Sequence, residues 1–134
     1  MPVLTQFEAR APAQANDIAV VEVELQTPLP EDYKAFLLKQ DGGEGFIGEH
    51  YLVLWSIAEL LPFNRDYQFQ ELAPGLIAFG SNGGGEGFAF DAACEGFRVK
   101  QCPFIGLSRE DAMPVAQSFT HLLERMIAEE GSLF

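Results

Sequence analysis

Two apolar runs flank a cluster of glycines in the stretch Leu76-Ile77-Ala78-Phe79-Gly80-Ser81-Asn82-Gly83-Gly84-Gly85-Glu86-Gly87-Phe88-Ala89-Phe90-Asp91. Glycine adopts positive φ and allows two backbones to approach closely, so this stretch predicts two strands joined by a glycine-rich turn. A phosphate-binding loop is the alternative, but it needs a lysine and a hydroxyl after its last glycine. Glu86 and Gly87 stand there instead, and the carboxylate would repel a phosphate. We therefore predict a structural hairpin that binds no nucleotide.

The composition indicates one globular domain. The chain has 134 residues, of which 48% are hydrophobic and 12 are phenylalanines, which is enough apolar material for a core and unlike a disordered protein. The longest apolar stretch, residues 52–63, is interrupted by Ser56 and Glu59 and is too short to span a bilayer. Residues 1–8 lack the basic start and apolar core of a signal peptide. We therefore expect a cytoplasmic protein in which residues 1–134 form one domain.

The charge balance restricts the partners. The net charge is -12, from 20 acidic and 8 basic residues. Nucleic acids and anionic membranes are bound by clustered lysine and arginine, and no such cluster occurs in the sequence, so we expect neither as a partner. The acidity either keeps the protein soluble or attracts a basic protein. The two cysteines, Cys94 and Cys102, are too few for a disulfide scaffold and fit no zinc pattern, so we expect reduced thiols.

The N-terminal part gives one ambiguous and one clear element. Residues 1–15 form a poorly specified arm, because Pro2 and Pro12 oppose regular structure. Residues 18–25 fit either a helix with apolar residues on one face or, from 21 onward, an alternating strand, and the pattern leaves both open. The next helix is predicted to start at Pro30 and to end at Asp41-Gly42-Gly43, where glycine supplies a left-handed cap. Its apolar face is formed by Tyr33, Phe36 and Leu37.

The remaining elements predict an α+β fold. Residues 51–55 form a strand with a hairpin partner near Phe46 and Ile47, and Ser56 caps a short helix that Pro62 limits, with Glu59 completing a capping box. Residues 97–102 form a strand that 104–105 continue, and Pro114 starts the last helix, which Gly131 ends. The apolar stripe of this helix is Val115, Phe119, Leu122, Leu123, Met126 and Ile127. Helices at both ends and strands between them are typical of an α+β fold.

No catalytic, cofactor or metal site is predicted. Gly43-Glu44-Gly45-Phe46-Ile47-Gly48 matches the dinucleotide pattern GxGxxG, but it follows a helix and enters a strand, whereas the mechanism needs it between a strand and a helix. His50 has Glu49 beside it, yet neighbouring residues of a strand point to opposite faces, and no metal-binding spacing supports them. The serines lack a nucleophile-elbow setting. Paired carboxylates carry little information in so acidic a chain.

An ordered series of short patterns carries a family resemblance. The series is Leu29-Pro30-Glu31-Asp32-Tyr33-Lys34-Ala35-Phe36-Leu37, Asp41-Gly42-Gly43-Glu44-Gly45, Trp55, residues 57–61, Asn64, residues 75–86, residues 88–91, Ser118-Phe119 and Leu122-Leu123. In order and spacing it resembles the SUKH superfamily, which includes fungal cell-wall assembly regulators and many bacterial immunity proteins. The resemblance spans roughly residues 17–128. Asp41 stands where the family commonly has asparagine before the paired glycines, and either residue tolerates the turn.

The resemblance implies a fold and a function. It implies a largely antiparallel sheet with helices packed against it, with Ile18 to Leu25 in a helix. It also implies a non-enzymatic module that binds a protein, in bacteria often a toxin such as a nuclease. A regulatory or scaffold protein with a housekeeping partner is the alternative, and a small-ligand carrier or enzyme built on the glycine hairpin and Glu86 is a more distant one.

Loop positions and aromatic character select the candidate contact residues. Carboxylates in or beside loops would steer a basic toxin, and aromatic side chains would hold it once bound. The predicted acidic residues are Asp41, Glu44, Glu49, Glu59 and Glu86, and the predicted aromatic residues are Tyr51, Phe63 and Tyr67. The predicted structural turn residues are Gly42, Gly43, Gly83, Gly84 and Gly85. The oligomeric state is not predicted by the sequence.

Overall fold

The computed structural model describes residues 7–93 and 97–128, with side chains from Arg10 onward. Its elements are β1 (Phe7–Ala9), α1 (Ala15–Leu25), α2 (Glu31–Leu37), β2 (Gly43–Ile47), β3 (His50–Leu54), α3 (Ile57–Asp66), α4 (Phe69–Leu72), β4 (Leu76–Ser81), β5 (Glu86–Asp91), β6 (Val99–Pro103), β7 (Met113–Ala116) and α5 (Phe119–Ala128). Within the described residues, the seven strands form one antiparallel sheet in the order β1 to β7. The predicted α+β fold is confirmed.

The first core lies between the sheet and the helices α1, α2, α3 and α5, with Ile57 and Leu60 as the buried residues of α3. Tyr33 of α2 is central to it, with its ring centroid 5.6 Å from that of Phe79 in β4, 5.0 Å from Phe90 in β5 and 5.1 Å from Phe119 in α5. Such edge and tilted contacts between rings add to the burial of apolar area. The Tyr33 hydroxyl is buried and has no hydrogen-bond partner among the described residues. Burial, and then the charge of Asp41, raise the pKa of Tyr33 well above its usual value.

The second core lies on the opposite face of the sheet, which we call the outer face. Its buried residues are Trp55, Phe69, Ala73, Leu76, Ala78, Ala89, Cys102 and Leu107. Helix α4 and the segment 104–112 between β6 and β7 cover this part of the sheet, which explains why β4 and β5 are apolar on both faces. Burial, and then the charge of Glu86, raise the pKa of Cys102 to about 12, so its thiol is not a reactive thiolate. Cys94 lies outside the described residues.

The start of α3 is held by two carboxylates. The Ser56 backbone N–H donates to Glu59 Oε1 at 2.9 Å, as the predicted capping box requires, and the Ile57 N–H donates to Asp41 Oδ1 at 2.7 Å. Arg10 Nη1 lies 2.6 Å from Glu59 Oε1. Partial burial opposes ionisation of Glu59, but the hydrogen bonds from Ser56 and Arg10 together outweigh it and lower its pKa. Asp41 and Glu59 therefore stabilise the entry to this helix.

Asn64 takes the place of a strand beside β4. Strand β3 pairs with β4 only at Val53 with Ser81 and Leu54 with Gly80. Beyond that point, Asn64 Nδ2 donates to the Ala78 carbonyl at 2.9 Å, and Asn64 Oδ1 accepts from the Ala78 N–H at 2.9 Å. The Asn64 carboxamide thus provides hydrogen-bond partners for the N–H and the carbonyl of buried Ala78, which β3 does not reach. Helix α3 continues past Pro62 to Asp66, so the prediction that Pro62 ends it is wrong.

Several predicted boundaries in the first half of the chain differ from the structure. Residues 1–15 were interpreted as an irregular arm, but Phe7–Ala9 form β1 and α1 begins at Ala15. The choice left open for residues 18–25 is decided for the helix, whose face with Ile18 and Val21 packs on the first core. Helix α2 ends at Leu37 rather than at Asp41-Gly42-Gly43. Gly42 has a φ of 81°, but it serves the turn into β2 and not a helix cap.

The predicted start of the last helix is wrong. Pro114 and Val115 belong to β7, and α5 begins at Phe119. Proline is tolerated in β7 because this strand lies at the edge of the sheet, where one side of its backbone needs no strand partner. Residues 104–105 do not continue β6, which ends at Pro103. Phe104 instead packs against the second core. Ile105 is 93% exposed, so its apolar side chain does not mark a buried strand position.

The glycine hairpin is a structural turn between β4 and β5. Gly83 has a φ of 83°, and a Cβ there would lie 2.8 Å from the Tyr51 ring. Gly84 is less restricted, since a Cβ would meet Asn82 Oδ1 at 3.4 Å, and Gly85 has nothing within 4 Å. Asn82 Oδ1 accepts a hydrogen bond from the Gly84 N–H at 2.9 Å, which closes the turn through a side chain. The turn is therefore built from Asn82 and Gly83 more than from the glycine run as a whole.

Candidate protein-binding surface

The β2–β3 hairpin presents polar and aromatic side chains on the outer face. Because Leu52 and Leu54 of β3 point into the first core, the alternate residue Tyr51 points to the other side of the sheet. It faces Phe46 across the strand pair, with ring centroids 5.0 Å apart in an edge-to-face arrangement. The Tyr51 hydroxyl donates to Glu44 Oε2 at 2.5 Å. Phe46 is 50% exposed, so this half of the outer face carries an apolar ring open to solvent.

Four aromatic rings continue the outer face beyond the hairpin. Tyr67 stacks on Phe104, with centroids 4.0 Å apart and planes inclined by 12°. Trp55 lies nearly parallel to both at 6.3 Å, and Phe63 packs against Trp55 at 4.8 Å. Trp55 is buried, whereas Tyr67 is 37% exposed. The four rings therefore shield the second core from solvent, and the Tyr67 ring of this cluster remains partly exposed.

Glycines allow the rings to lie against the sheet. Gly87 pairs with Cys102, and a Cβ on Gly87 would lie 2.6 Å from the Phe104 ring. Gly83 has the same relation to Tyr51, with 2.8 Å to its ring. The strand pairings also place Val53, which packs against the second core, in one row with Gly87. The two groups of rings thus belong to one face.

We call this region the outer surface and define it by Glu44, Phe46, Tyr51, Val53, Tyr67 and Phe104. It contains the predicted aromatic residues Tyr51 and Tyr67 on one face of the sheet, and the third, Phe63, packs against Trp55. It also contains Phe46 and Phe104, which the sequence reasoning did not select. The signal for Phe46 was its place opposite Tyr51 in the hairpin, whereas the contact of Phe104 with Tyr67 joins residues far apart in the chain.

The predicted acidic residues do not share one place. Asp41 and Glu59 lie at the start of α3 and are hydrogen-bonded there. Glu44 lies on the outer surface, and Glu49 is exposed in the turn between β2 and β3. Glu86 begins β5 opposite Pro103, the residue before Phe104. Of the five predicted carboxylates, one therefore lies on the outer surface, and Glu49 and Glu86 lie in or beside the turns that join β2 to β3 and β4 to β5.

A separate cleft of about 450 Å³ opens between the end of α1, the helices α3 and α4, and the start of β4. Its charged lining consists of Glu24, Arg65 and Glu71 above an apolar floor that includes Phe69 and Leu76. In residues 7–93 and 97–128, no three histidine, cysteine, aspartate or glutamate side chains come close enough to hold a metal ion. In the same ranges, no helix is both long and apolar enough to cross a bilayer.

The segment that matches the dinucleotide pattern GxGxxG is the β2 strand and the turn after it. Residues 43–47 pair with residues 50–54, and β3 follows the turn instead of a helix. A helix N-terminus that could meet a pyrophosphate does not follow these glycines, so their spacing arises from the hairpin.

A model of the family described as SMI1 / KNR4 family (SUKH-1) matches residues 12–125. The match begins just before α1 and ends within α5, so it includes the strands and helices that form both cores and the outer surface. The comparison with curated proteins found no match.

Proposed function

The chain belongs to the SMI1/KNR4 (SUKH-1) family, and from that premise we propose that it is a cytoplasmic, non-enzymatic protein-binding module of the immunity type. In this role it neutralises a basic toxin by covering part of the toxin surface. A regulatory role with a housekeeping partner is the alternative, and it uses the same kind of surface.

The observation that supports this proposal is the outer surface. Exposed aromatic rings that pack edge to face or in stacks are typical of protein contact sites, because they bury a large area with little loss of side-chain freedom. Phe46 is 50% exposed beside Tyr51, and Tyr67 is 37% exposed above Phe104. Such rings supply most of the binding energy when a partner excludes water from them.

The carboxylates supply a different part of the recognition. Asp41 and Glu59 already stabilise α3, so we assign the steering of a basic partner to Glu44, Glu49 and Glu86. Charges at the rim of an interface mainly raise the association rate, whereas buried rings mainly slow dissociation. The net charge of -12 extends this attraction over the whole molecule.

The proposal is tested by protection in cells. A toxin gene immediately beside the gene of this chain would identify the partner, and its toxic domain is then coexpressed with the chain while growth is measured. We expect protection by the wild type, loss of protection by the double variant Tyr51→Ala with Tyr67→Ala, and full protection by Val20→Ala with Val23→Ala. The two valines are exposed on α1, away from the outer face, so they control for changes of surface alone. Full protection by the tyrosine variant would assign the contact to another face, and binding to a housekeeping protein without any protection would favour the regulatory role.

Association with the toxic domain is expected to depend on salt and on the rim charges. Charge reversal at Glu44 and Glu86 together should slow association on the order of tenfold at low salt and leave dissociation nearly unchanged. The difference should shrink as ionic strength rises, since exposed charges are screened beyond ~10 Å at about 0.1 M. Stopped-flow kinetics across a salt series measure this effect. The matched control is Asp17→Lys with Glu24→Lys, two exposed positions of α1 on the opposite side of the sheet, which carry the same charge change. An equal effect of this control would show that net charge alone accelerates the association.

A further inference from the structure

The stack of Tyr67 on Phe104 has a defined order from the sheet outward. The Phe104 ring rests over Gly87 of β5, where a Cβ would lie 2.6 Å from it. Tyr67 covers Phe104 at 4.0 Å with an interplanar angle of 12°. Trp55 is displaced sideways at 6.3 Å from both rings. One face of the Tyr67 ring is thus occupied by Phe104, and the other face has no ring partner among the described residues.

The surroundings of this exposed ring are acidic. Asp66 directly precedes Tyr67 and is exposed at the end of α3. Glu86 is the cross-strand partner of Pro103, which directly precedes Phe104. A cation placed over Tyr67 would therefore approach an electron-rich ring face with the Asp66 carboxylate on the adjacent residue. The aromatic ring and the charges favour the same kind of ligand.

The stack is fixed before any partner arrives. Phe104 belongs to the segment 104–112, which Arg109 anchors to the rest of the fold. Arg109 Nη2 lies 2.7 Å from Asp91 Oδ2, and Arg109 Nη1 donates to the Pro74 carbonyl at 2.9 Å. Leu107 of the same segment is buried in the second core. A ring pair held in this way loses little conformational freedom on binding.

We propose that the Tyr67–Phe104 stack is a binding platform for an arginine side chain of a basic protein partner. This inference rests on the proposed function, because it specifies the chemistry of the partner at the same surface. A guanidinium is planar and weakly hydrated, so it stacks on an aromatic face, whereas the ammonium of lysine is a strongly hydrated point charge. The platform therefore selects arginine over lysine at equal charge, which general acidity does not do.

The preference is measured with two peptides of equal charge, hexa-arginine and hexa-lysine, titrated into the full chain at low salt. Calorimetry gives the affinities, and Trp55, the single tryptophan of the chain, reports binding beside the stack through its fluorescence. We expect hexa-arginine to bind about two- to fivefold more tightly than hexa-lysine and to change the Trp55 emission more. Tyr67→Phe should keep this preference, and Tyr67→Leu should abolish it.

Two controls make the outcome specific. Val23→Ala changes an exposed residue of α1 on the other side of the sheet and should leave the preference for arginine intact, while circular dichroism shows that each variant is folded. Equal affinity for the two peptides, or a preference that survives in Tyr67→Leu, would overturn the platform. Either of these results leaves the proposed function standing if the chain still protects against the toxic domain. Conversely, a preference for arginine in a chain that does not protect cells from the toxic domain would support the platform and contradict the immunity role.

Discussion

Replacing Leu122 with alanine is expected to lower the free energy of unfolding by about 2–5 kcal/mol. Leu122 is fully buried on α5, where this helix packs on the first core beside Phe119 and Met126. The substitution removes apolar contacts and leaves a cavity that the surrounding sheet and helices fill only partly. Since the total stability of a protein of this kind is about 5–15 kcal/mol, the loss is a large fraction of it. Urea denaturation followed by circular dichroism measures the change.

Tyr33→Phe is the matched control for this prediction. It removes one atom from the same core, a buried hydroxyl with no hydrogen-bond partner among the described residues. Because the hydroxyl is buried without the compensation of a hydrogen bond, its loss is expected to leave stability unchanged or to raise it. If Leu122→Ala were no more destabilising than Tyr33→Phe, the packing of α5 on the sheet would be contradicted.

Asp91→Ala is expected to cost about 3 kcal/mol, through a different mechanism. The Asp91 side chain is 0% exposed, and its Oδ2 lies 2.7 Å from both Lys100 Nζ and Arg109 Nη2. Its Oδ1 also accepts from the Ala93 N–H at 3.0 Å. Removing one partner of a buried ion pair leaves the remaining charge uncompensated. Lys100 and Arg109 are partly exposed, so water can solvate their charges after the substitution. The expected loss of stability is therefore at the lower end of the range for buried ion pairs.

Asp66→Ala is the control for the loss of one negative charge. Asp66 is exposed, so its replacement removes the same charge and is expected to change stability by no more than about 0.5 kcal/mol. Thermal and urea unfolding of both variants are compared at one pH and salt concentration. A loss in Asp91→Ala as small as that in Asp66→Ala would show that the ion pairs contribute no net stability. A selective loss would show that the buried Asp91 carboxylate stabilises the fold through Lys100, Arg109 and the Ala93 N–H together.

The parts of the fold that depend on local sequence could be predicted. The glycine hairpin, the buried face of α2 and the capping box of α3 each rest on residues within a few positions of one another, so pattern and turn chemistry were sufficient. The helix at residues 18–25 was ambiguous, because Val21 and Leu25 satisfy both a helical and an alternating pattern. Packing of Ile18 and Val21 on the first core decided it, and that packing is not a local property.

The features that the sequence analysis missed depend on residues distant in the chain. Pro114 was interpreted as a helix start because proline favours that position, whereas its place at the sheet edge is visible only once β6 is known to pair with β7. Asn64 showed no sign that it would bond to Ala78. For the candidate site, loop position selected Asp41 and Glu59 as contact residues, but their hydrogen bonds at α3 give them a structural role.

The sequential order of the strands has a consequence for the speed of folding. In the part of the chain that the structure describes, every strand from β2 to β7 lies beside the strand that precedes it, and no later strand is inserted between two earlier ones. A contact between residues that are near in sequence forms only a short loop. Forming a short loop costs less conformational entropy before the strands gain the free energy of pairing. During synthesis the β2–β3 hairpin can therefore form first, and each later strand can then pair with the strand that precedes it. The strand pairings are thus local in sequence, which shortens the interval in which unpaired strands could aggregate, whereas the packing of α5 on α2 and β2 joins distant parts of the chain.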